Sequence, residues 1–374
     1  MRRESIVYVL GSCFDAAMIA PVITELRRRL PRARHALVDM SGVTASGRFR
    51  RLFGLPEADY PLAPCAGSPV AQTTSTMERI ERVIEVERPD LVMLAGDSTS
   101  TLSAALTALK LGIGSANLNS GLRNFDRNVP EEINRVIVDS FADFLFVTNR
   151  VAAKNLRREG IDVDRVHFVG STMADALGGL SPRIEAPQVA TRLGLRRGKY
   201  LLVALSETKL AMGARLRVIL DRLMEISASL PVVFPVAEEI RLAAESYVSW
   251  SPLRLVNRLN YVDFLSLEAD AAAVLTDSGP VQEEAAQMRV PCFTLRDRTE
   301  RAATVWHGAN RLIGIDPAYL DRILPVLRNR PSRPAQLPLW DGRASARVAE
   351  ILARSLAARQ APGRTSRDIG VGIR

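Results

Sequence analysis

Short apolar runs alternate with helical patterns along almost the whole chain. IVYVL (6–10) precedes a helical stretch over about 15–30, and HALVDM (35–40) follows it. A helix ending near Glu87 leads to DLVMLAG (90–96), and a further helix over about 99–111 leads to GIGSANL (112–118). DFLFVTN (143–149) and RVHFVG (165–170) continue the series. Runs this short and this apolar, separated by helices, predict strands of a parallel sheet covered on both faces. A basic, proline-containing connection, SPRIEAPQVATRLGLRRGK (181–199), interrupts the alternation. It restarts with YLLVAL (200–205), LPVVFPV (230–236), LRLV (253–256), AAAVLT (271–276) and PCFTL (291–295). The expected fold class is therefore α/β, with two Rossmann-like doubly wound domains and a cleft between them. The domains are expected at 1–182 and 183–342, followed by an amphipathic helix over 343–360 and a loose tail, 361–374.

Composition narrows the function classes. The chain carries a net charge of +9, almost entirely from arginine, with Lys110, Lys154, Lys199 and Lys209 as its lysines. A basic balance raises the question of nucleic acid. The arginines are scattered, however, and aromatics make up only 5%, a poor stacking platform, so no nucleic-acid partner is expected. Cys13, Cys65 and Cys292 are odd in number and form no C-x-x-C, which argues against a disulfide framework and suits the cytoplasm. His35, His167 and His307 lie far apart without a metal-binding pattern, so neither a metal nor a cofactor is expected. The opening MRRESIVYVLGSC imitates a lipoprotein signal, but its apolar part is shorter than the roughly 7–15 residues such a signal needs. It reads as a first strand, and no membrane partner is expected.

In doubly wound sheets ligands sit beyond the carboxyl ends of the strands, so the residues after each strand are the candidates. In GSCFDA (11–16), Gly11 and Ser12 allow a tight turn into a helix whose N-terminus can face an anion. AGDSTSTLSA (95–104) places Asp97 at a strand end before four hydroxyl residues. These either cap the next helix or bond a sugar, with Asp97 as acid or base. NVPEEINR (128–135) has Pro130 and two acids where a helix starts. In TDSGPVQEEA (276–285), backbone N–H groups and the Ser278 hydroxyl can face a phosphate at a helix start. A carboxylate one turn later can accept from the vicinal hydroxyls of a ribose. A capped helix without a ligand is the competing reading. Lys209 is a candidate phosphate ligand, and Trp306 reads as a core aromatic.

Taken in order, GDSTSTL (96–102), SGLRNFDRNVPEEINR (120–135), VGSTMADAL (169–177), LTDSGPVQEEA (275–285) and RDRTER (296–301) resemble the non-hydrolysing UDP-N-acetylglucosamine 2-epimerases. The resemblance spans about 5–355 and implies the two-domain glycosyltransferase-B fold, with the final helix packed back onto the first domain and the chain pairing as a homodimer. It implies that Ser278, Gly279 and Glu284 hold a diphosphate and ribose, with Arg301 beside them. It implies that Asp97 and Glu131 are catalytic at the sugar, with Arg135 nearby. Ser12, Asn119 and Ser206 fall at further sugar- or acceptor-side positions.

The chain also departs from that family. Cys13 and Met18 stand where the family has an Arg and a Lys, Asn119 where it has a catalytic Glu, and Ser206 near a catalytic His. Inverting C2 requires groups that remove and return a proton, and neither an amide nor a lone hydroxyl does so near neutral pH. The departures therefore point to glycosyl transfer. A nucleoside diphosphate or pyrophosphate would leave an activated sugar, and Asp97 or Glu131 would deprotonate a small acceptor such as a nucleobase or specialised metabolite. The alternative is a UDP-N-acetylglucosamine 2-epimerase, or an epimerase of a related nucleotide sugar, with His167 or His307 recruited.

Overall fold

The computed structural model describes residues 3–186, 189–206, 214–328 and 334–359. The described residues up to Gly178 and from Pro338 onward form one compact unit, and Gly179–Leu337 forms another. The boundary after Gly178 thus falls inside the helix Thr172–Glu185.

The first unit is built on β1 (Ser5–Leu10), β2 (Arg34–Asp39), β3 (Tyr60–Pro61), β4 (Leu91–Ala95), β5 (Gly114–Leu118), β6 (Phe144–Val147) and β7 (Val166–Phe168). They form one parallel sheet in the order β3-β2-β1-β4-β5-β6-β7. All six residues of β1 are buried, as its unbroken apolar run requires of a central strand covered on both faces. Val7, Val9, Val92 and Leu94 pack on one face with Ile80, Val83 and Ala104 from the covering helices. The second unit carries β8 (Leu201–Ala204), β9 (Val232–Val236), β10 (Arg254–Asn257), β11 (Ala273–Thr276), β12 (Cys292–Thr294) and β13 (Asn310–Leu312). Its parallel order is β10-β9-β8-β11-β12-β13. The α/β, doubly wound expectation thus describes each unit. Trp306 departs from expectation: it is 68% exposed and is not a core aromatic.

In both sheets the strand order reverses between the first and fourth strands, β1 and β4 in one and β8 and β11 in the other. A crevice opens at such a switch point because the two following loops turn to opposite faces. The segments to inspect are therefore those after β1 and β4, and those after β8 and β11.

The helix Ala344–Arg359 packs against the helix Cys13–Arg29 of the first unit. Its start is fixed by Asp175, whose carboxylate accepts from the backbone of Ala344 at 3.2 Å and of Ser345 at 2.7 Å. Trp340 is buried and donates from Nε1 to the carbonyl of Thr148 at 3.2 Å. Among the described residues, no helix is long and apolar enough to cross a membrane.

Candidate functional site

At the switch point of the first unit, Ser12 caps the helix Cys13–Arg29 in a reciprocal box with Asp15. Asp15 Oδ2 accepts from the N–H groups of Gly11 at 2.8 Å and Ser12 at 2.9 Å, while the Ser12 hydroxyl donates to Oδ1 at 2.7 Å. The loop's donors are therefore engaged by a built-in carboxylate, and the Ser12 hydroxyl is engaged too. Burial pushes the Asp15 carboxyl up to about 7, against the lowering effect of those hydrogen bonds. Burial, and then the charges of Asp39 and Asp15, push the Cys13 thiol up, so this cysteine is not a ready thiolate.

The loop after β4 closes against this turn. A Cβ on Gly11 would meet Ser98 Oγ at 2.0 Å, and one on Gly96 would meet Asp15 Oδ1 at 2.7 Å. Both positions need glycine because the two loops share the same space. Ser98 caps the helix Thr99–Lys110, accepting from Thr101 at 3.1 Å. Asp97, its side chain 37% exposed, is ion-paired to Arg135. Arg135 is buried and bonds Glu132 at 2.7 Å, and Glu132 also accepts from the backbone of Asn124 at 3.0 Å and Phe125 at 2.9 Å. Asn134 donates to the Asp97 carbonyl at 2.8 Å. The helix Pro130–Phe141 therefore holds Asp97 through Asn134 and Arg135, while Glu131 is exposed on its first turn. Of the two adjacent acids, the sequence points to Glu131; the structural anchor is Glu132.

Asn119 follows β5 in a left-handed conformation, φ 59°, which asparagine tolerates better than most residues. It is buried, and Nδ2 donates to Met18 Sδ at 2.9 Å. The turn behind it is fixed by Asp139, which accepts from Asn117 at 3.0 Å, from the backbone of Gly121 at 2.8 Å and from Arg123 at 2.8 Å. Arg123 also forms a two-point bond with Glu159, at 2.8 and 2.7 Å.

In the second unit, Ser206 lies just beyond β8 and is exposed. Its N–H donates to Asp277 Oδ1 at 2.9 Å and its hydroxyl to Oδ2 at 2.8 Å, tying together the two loops at that switch point. Lys209 lies outside the described residues. Ser278 precedes the helix Gly279–Met288 and makes no side-chain bond to it. This is unlike Ser12, Ser68, Ser98, Asn149 and Asn260, each of which accepts from the helix it precedes. The capped-helix reading of TDSGPVQEEA is thus not what the serine does. The N-terminal N–H groups of this helix lack the side-chain partner that those other starts possess.

Gly279 is pressed against the RDRTER segment: a Cβ there would meet Glu300 Oε1 at 2.3 Å and Arg301 Nε at 3.7 Å. Arg301 pairs with the buried Glu283 at 3.6 Å. Glu284 is fully buried and accepts from the Tyr261 hydroxyl at 2.7 Å. Burial pushes Glu284 up to about 7. Ser278, Gly279 and Arg301 are thus brought to one helix start, while Glu284 lies farther along the same helix, buried against Tyr261; Asp97 and Arg135 meet at one strand end in the other unit. His167 is half-buried against the rings of Phe144 and Phe146, and burial lowers its pKa; His307 is exposed at the end of the helix Ala302–Trp306. Among the described residues, no group of three or more His, Cys, Asp or Glu side chains is placed to hold a metal ion.

A family profile described as UDP-N-acetylglucosamine 2-epimerase matches residues 33–353. The UDP-N-acetylglucosamine 2-epimerase of Methanocaldococcus jannaschii is 34% identical, over 92% of this chain and 97% of its own. The UDP-2,3-diacetamido-2,3-dideoxy-D-glucuronate 2-epimerase of Pseudomonas aeruginosa is also 34% identical, over 82% of this chain and 86% of its own. A crystal structure of the Methanocaldococcus jannaschii enzyme in complex with UDP-GlcNAc and UDP is similar at a TM-score of 0.82 and 31% identity, over 94% of this chain and 99% of that one. These findings overturn the expectation of glycosyl transfer to an acceptor. That expectation rested on the residues at a few positions, whereas the likeness to C2 epimerases runs through nearly the whole chain.

Proposed function

We propose, from the premise that this chain belongs to the UDP-N-acetylglucosamine 2-epimerase family, that it inverts C2 of a UDP-linked 2-acetamido sugar. The single observation that carries the nucleotide half is the start of the helix Gly279–Met288, where Ser278 leaves its own helix uncapped. Unpaired N–H groups and the helix dipole favour a phosphate there. The Ser278 hydroxyl and the N–H groups of the first turn hold the diphosphate, with the guanidinium of Arg301 alongside. Glu284 takes the ribose hydroxyls; ligand entry displaces the Tyr261 hydroxyl from Oε1, because Glu284 is otherwise covered.

C2 inversion in this family is understood as loss of UDP to a glycal and its re-addition, which requires a proton to leave C2 and return. Asn119 and Ser206 carry no exchangeable acid or base function near neutral pH. The proton transfers therefore fall to Asp97, held in place by Arg135, and to Glu131, whose exposed carboxylate lies on the first turn of its helix. A preorganised N-terminus at Ser278 supports the departing diphosphate, whose charge grows as the anomeric bond breaks.

The relatives at 34% identity bear the names of two substrates, and both are UDP-linked sugars with an acetamido group at C2. That shared feature supports the substrate class. The test is incubation with each of the two sugars, followed by proton NMR of the ring protons. The reading expects the C2 epimer of at least one to accumulate to an equilibrium reached from either side. UDP binding with neither sugar epimerised would refute it.

A further inference from the structure

The nucleoside side of this site contains a second carboxyl group with no role in the function proposed so far. Glu268 lies on the helix Tyr261–Asp270, which packs against the helix Gly279–Met288, and it is 0% exposed. Its two oxygens have no hydrogen-bond donor, and neither has Oε2 of Glu284. Yet the two carboxyls meet at hydrogen-bonding range. Two ionised carboxylates are acceptors only and cannot bond one another, whereas a protonated one donates. A proton on Glu268 gives Glu284 Oε2 its missing donor and removes a like-charge contact from the interior.

We propose that Glu268 is a positioning residue of the nucleoside site: protonated, it donates to Oε2 of Glu284 and holds that carboxylate as the acceptor for a vicinal diol. The proposal rests on Glu284 being the ribose ligand. The surrounding charges support this assignment of the proton. On the helix Gly279–Met288 the nearby acids are Glu284 and Glu283, and Arg301 pairs with Glu283 at 3.6 Å. On the helix Tyr261–Asp270, Tyr261 donates to the other oxygen of Glu284, Asp263 pairs outward with Arg192 of the helix Val189–Arg192 at 3.5 Å, and Asp270 pairs with Arg197 at 2.9 Å. Burial and then the charge of Glu284 raise Glu268 well above the usual carboxylate range, while the bond from Glu268 lowers Glu284. Glu268 is thus the donor of the pair and Glu284 the acceptor. As pH rises and the shared proton leaves, two adjacent charges repel and the diol acceptor loses its support.

The test compares the full-length wild type with Glu268→Gln, whose amide donates without titrating, and Glu268→Leu, which cannot donate. UDP binding by calorimetry and unfolding by denaturant are each followed from pH 6.5 to 9. Relative to Glu268→Gln, the wild type should lose UDP affinity as pH rises and the shared proton leaves, by about tenfold for each pH step of one beyond its release. Its stability should fall relative to that variant over the same range. At pH 6.5, Glu268→Gln should bind within about threefold of wild type and Glu268→Leu about tenfold more weakly, the size of one hydrogen bond to a charged group. If wild type and Glu268→Gln share the same pH profiles in binding and unfolding, the proposal fails while the nucleotide site stands. If the unfolding profiles diverge as expected but wild type binds no UDP, the shared proton stands and the nucleoside reading fails, taking the positioning role with it.

Discussion

Nδ2 of Asn119 lies 2.9 Å from Sδ of Met18, so two positions at which this chain departs from its family's charged residues touch each other. A neutral amide and a thioether here replace an acid and a base. Met18 is 4% exposed and Asn119 7%, so restoring either charge alone leaves it buried without a partner. Met18→Lys should cost about 3–5 kcal/mol, and Asn119→Glu a similar amount plus about 1 kcal/mol for a glutamate in a left-handed conformation. The double variant should be more stable than the sum of the two by at least about 1 kcal/mol. Denaturant unfolding of the four proteins measures this, and strict additivity would mean that the two side chains do not face one another.

Arg135 separates catalytic from structural effects around Asp97. Removing it by Arg135→Met strands the buried Glu132 and should cost about 3 kcal/mol. Asp97→Asn acts on a side chain that is 37% exposed and should leave stability nearly unchanged while lowering turnover by about 10²–10⁴-fold. Thermal unfolding alongside kcat distinguishes the two.

Gly279→Ala places a methyl carbon 2.3 Å from Glu300 Oε1, and Glu300 is itself held by Arg296 at 3.2 Å. The expected result is a loss of about 1–3 kcal/mol in stability together with weaker UDP binding, because the Arg301 segment is pushed off the helix start. Adding Glu300→Ala should recover most of the stability, since it removes the clashing atoms. Unfolding and calorimetric titration of the single and double variants check both halves.

Asp15 gives the first unit a pH signature. Its carboxyl is raised to about 7 from an ordinary 3.8, so the folded state holds the proton more tightly than the unfolded chain. The stabilisation is complete below about pH 4 and is lost as pH rises toward about 7, on the order of 4 kcal/mol in total. Asp15→Asn resembles the protonated acid, so its stability relative to wild type should improve from pH 4 to pH 8. Denaturant unfolding across that range reads the slope.

The strands at the centre of each sheet are legible in the sequence because burial on both faces forces unbroken apolar runs such as IVYVL and AAAVLT. β3 and β13 are not, since edge strands of two and three residues leave no such run. Asp97, Ser278 and Gly279 are visible as residues following strands, but whether Ser278 caps its helix depends on a side-chain orientation that sequence does not fix. Glu268 is invisible: in SLEAD it reads as the polar end of a helix, and only packing shows that it is covered. The expectation of glycosyl transfer has a similar source. Asn119 and Ser206 read as losses at single positions, although proton transfer needs an ionisable group within reach and not one particular residue.

The central claim is that the C2 proton leaves and returns. Turnover of UDP-N-acetylglucosamine in D₂O, followed by NMR at C2, tests it most directly. One deuterium at C2 is expected in both epimers, with its incorporation slowed about 10²–10⁴-fold by Asp97→Asn. Retention of the original proton at C2 while the sugar is consumed would contradict it.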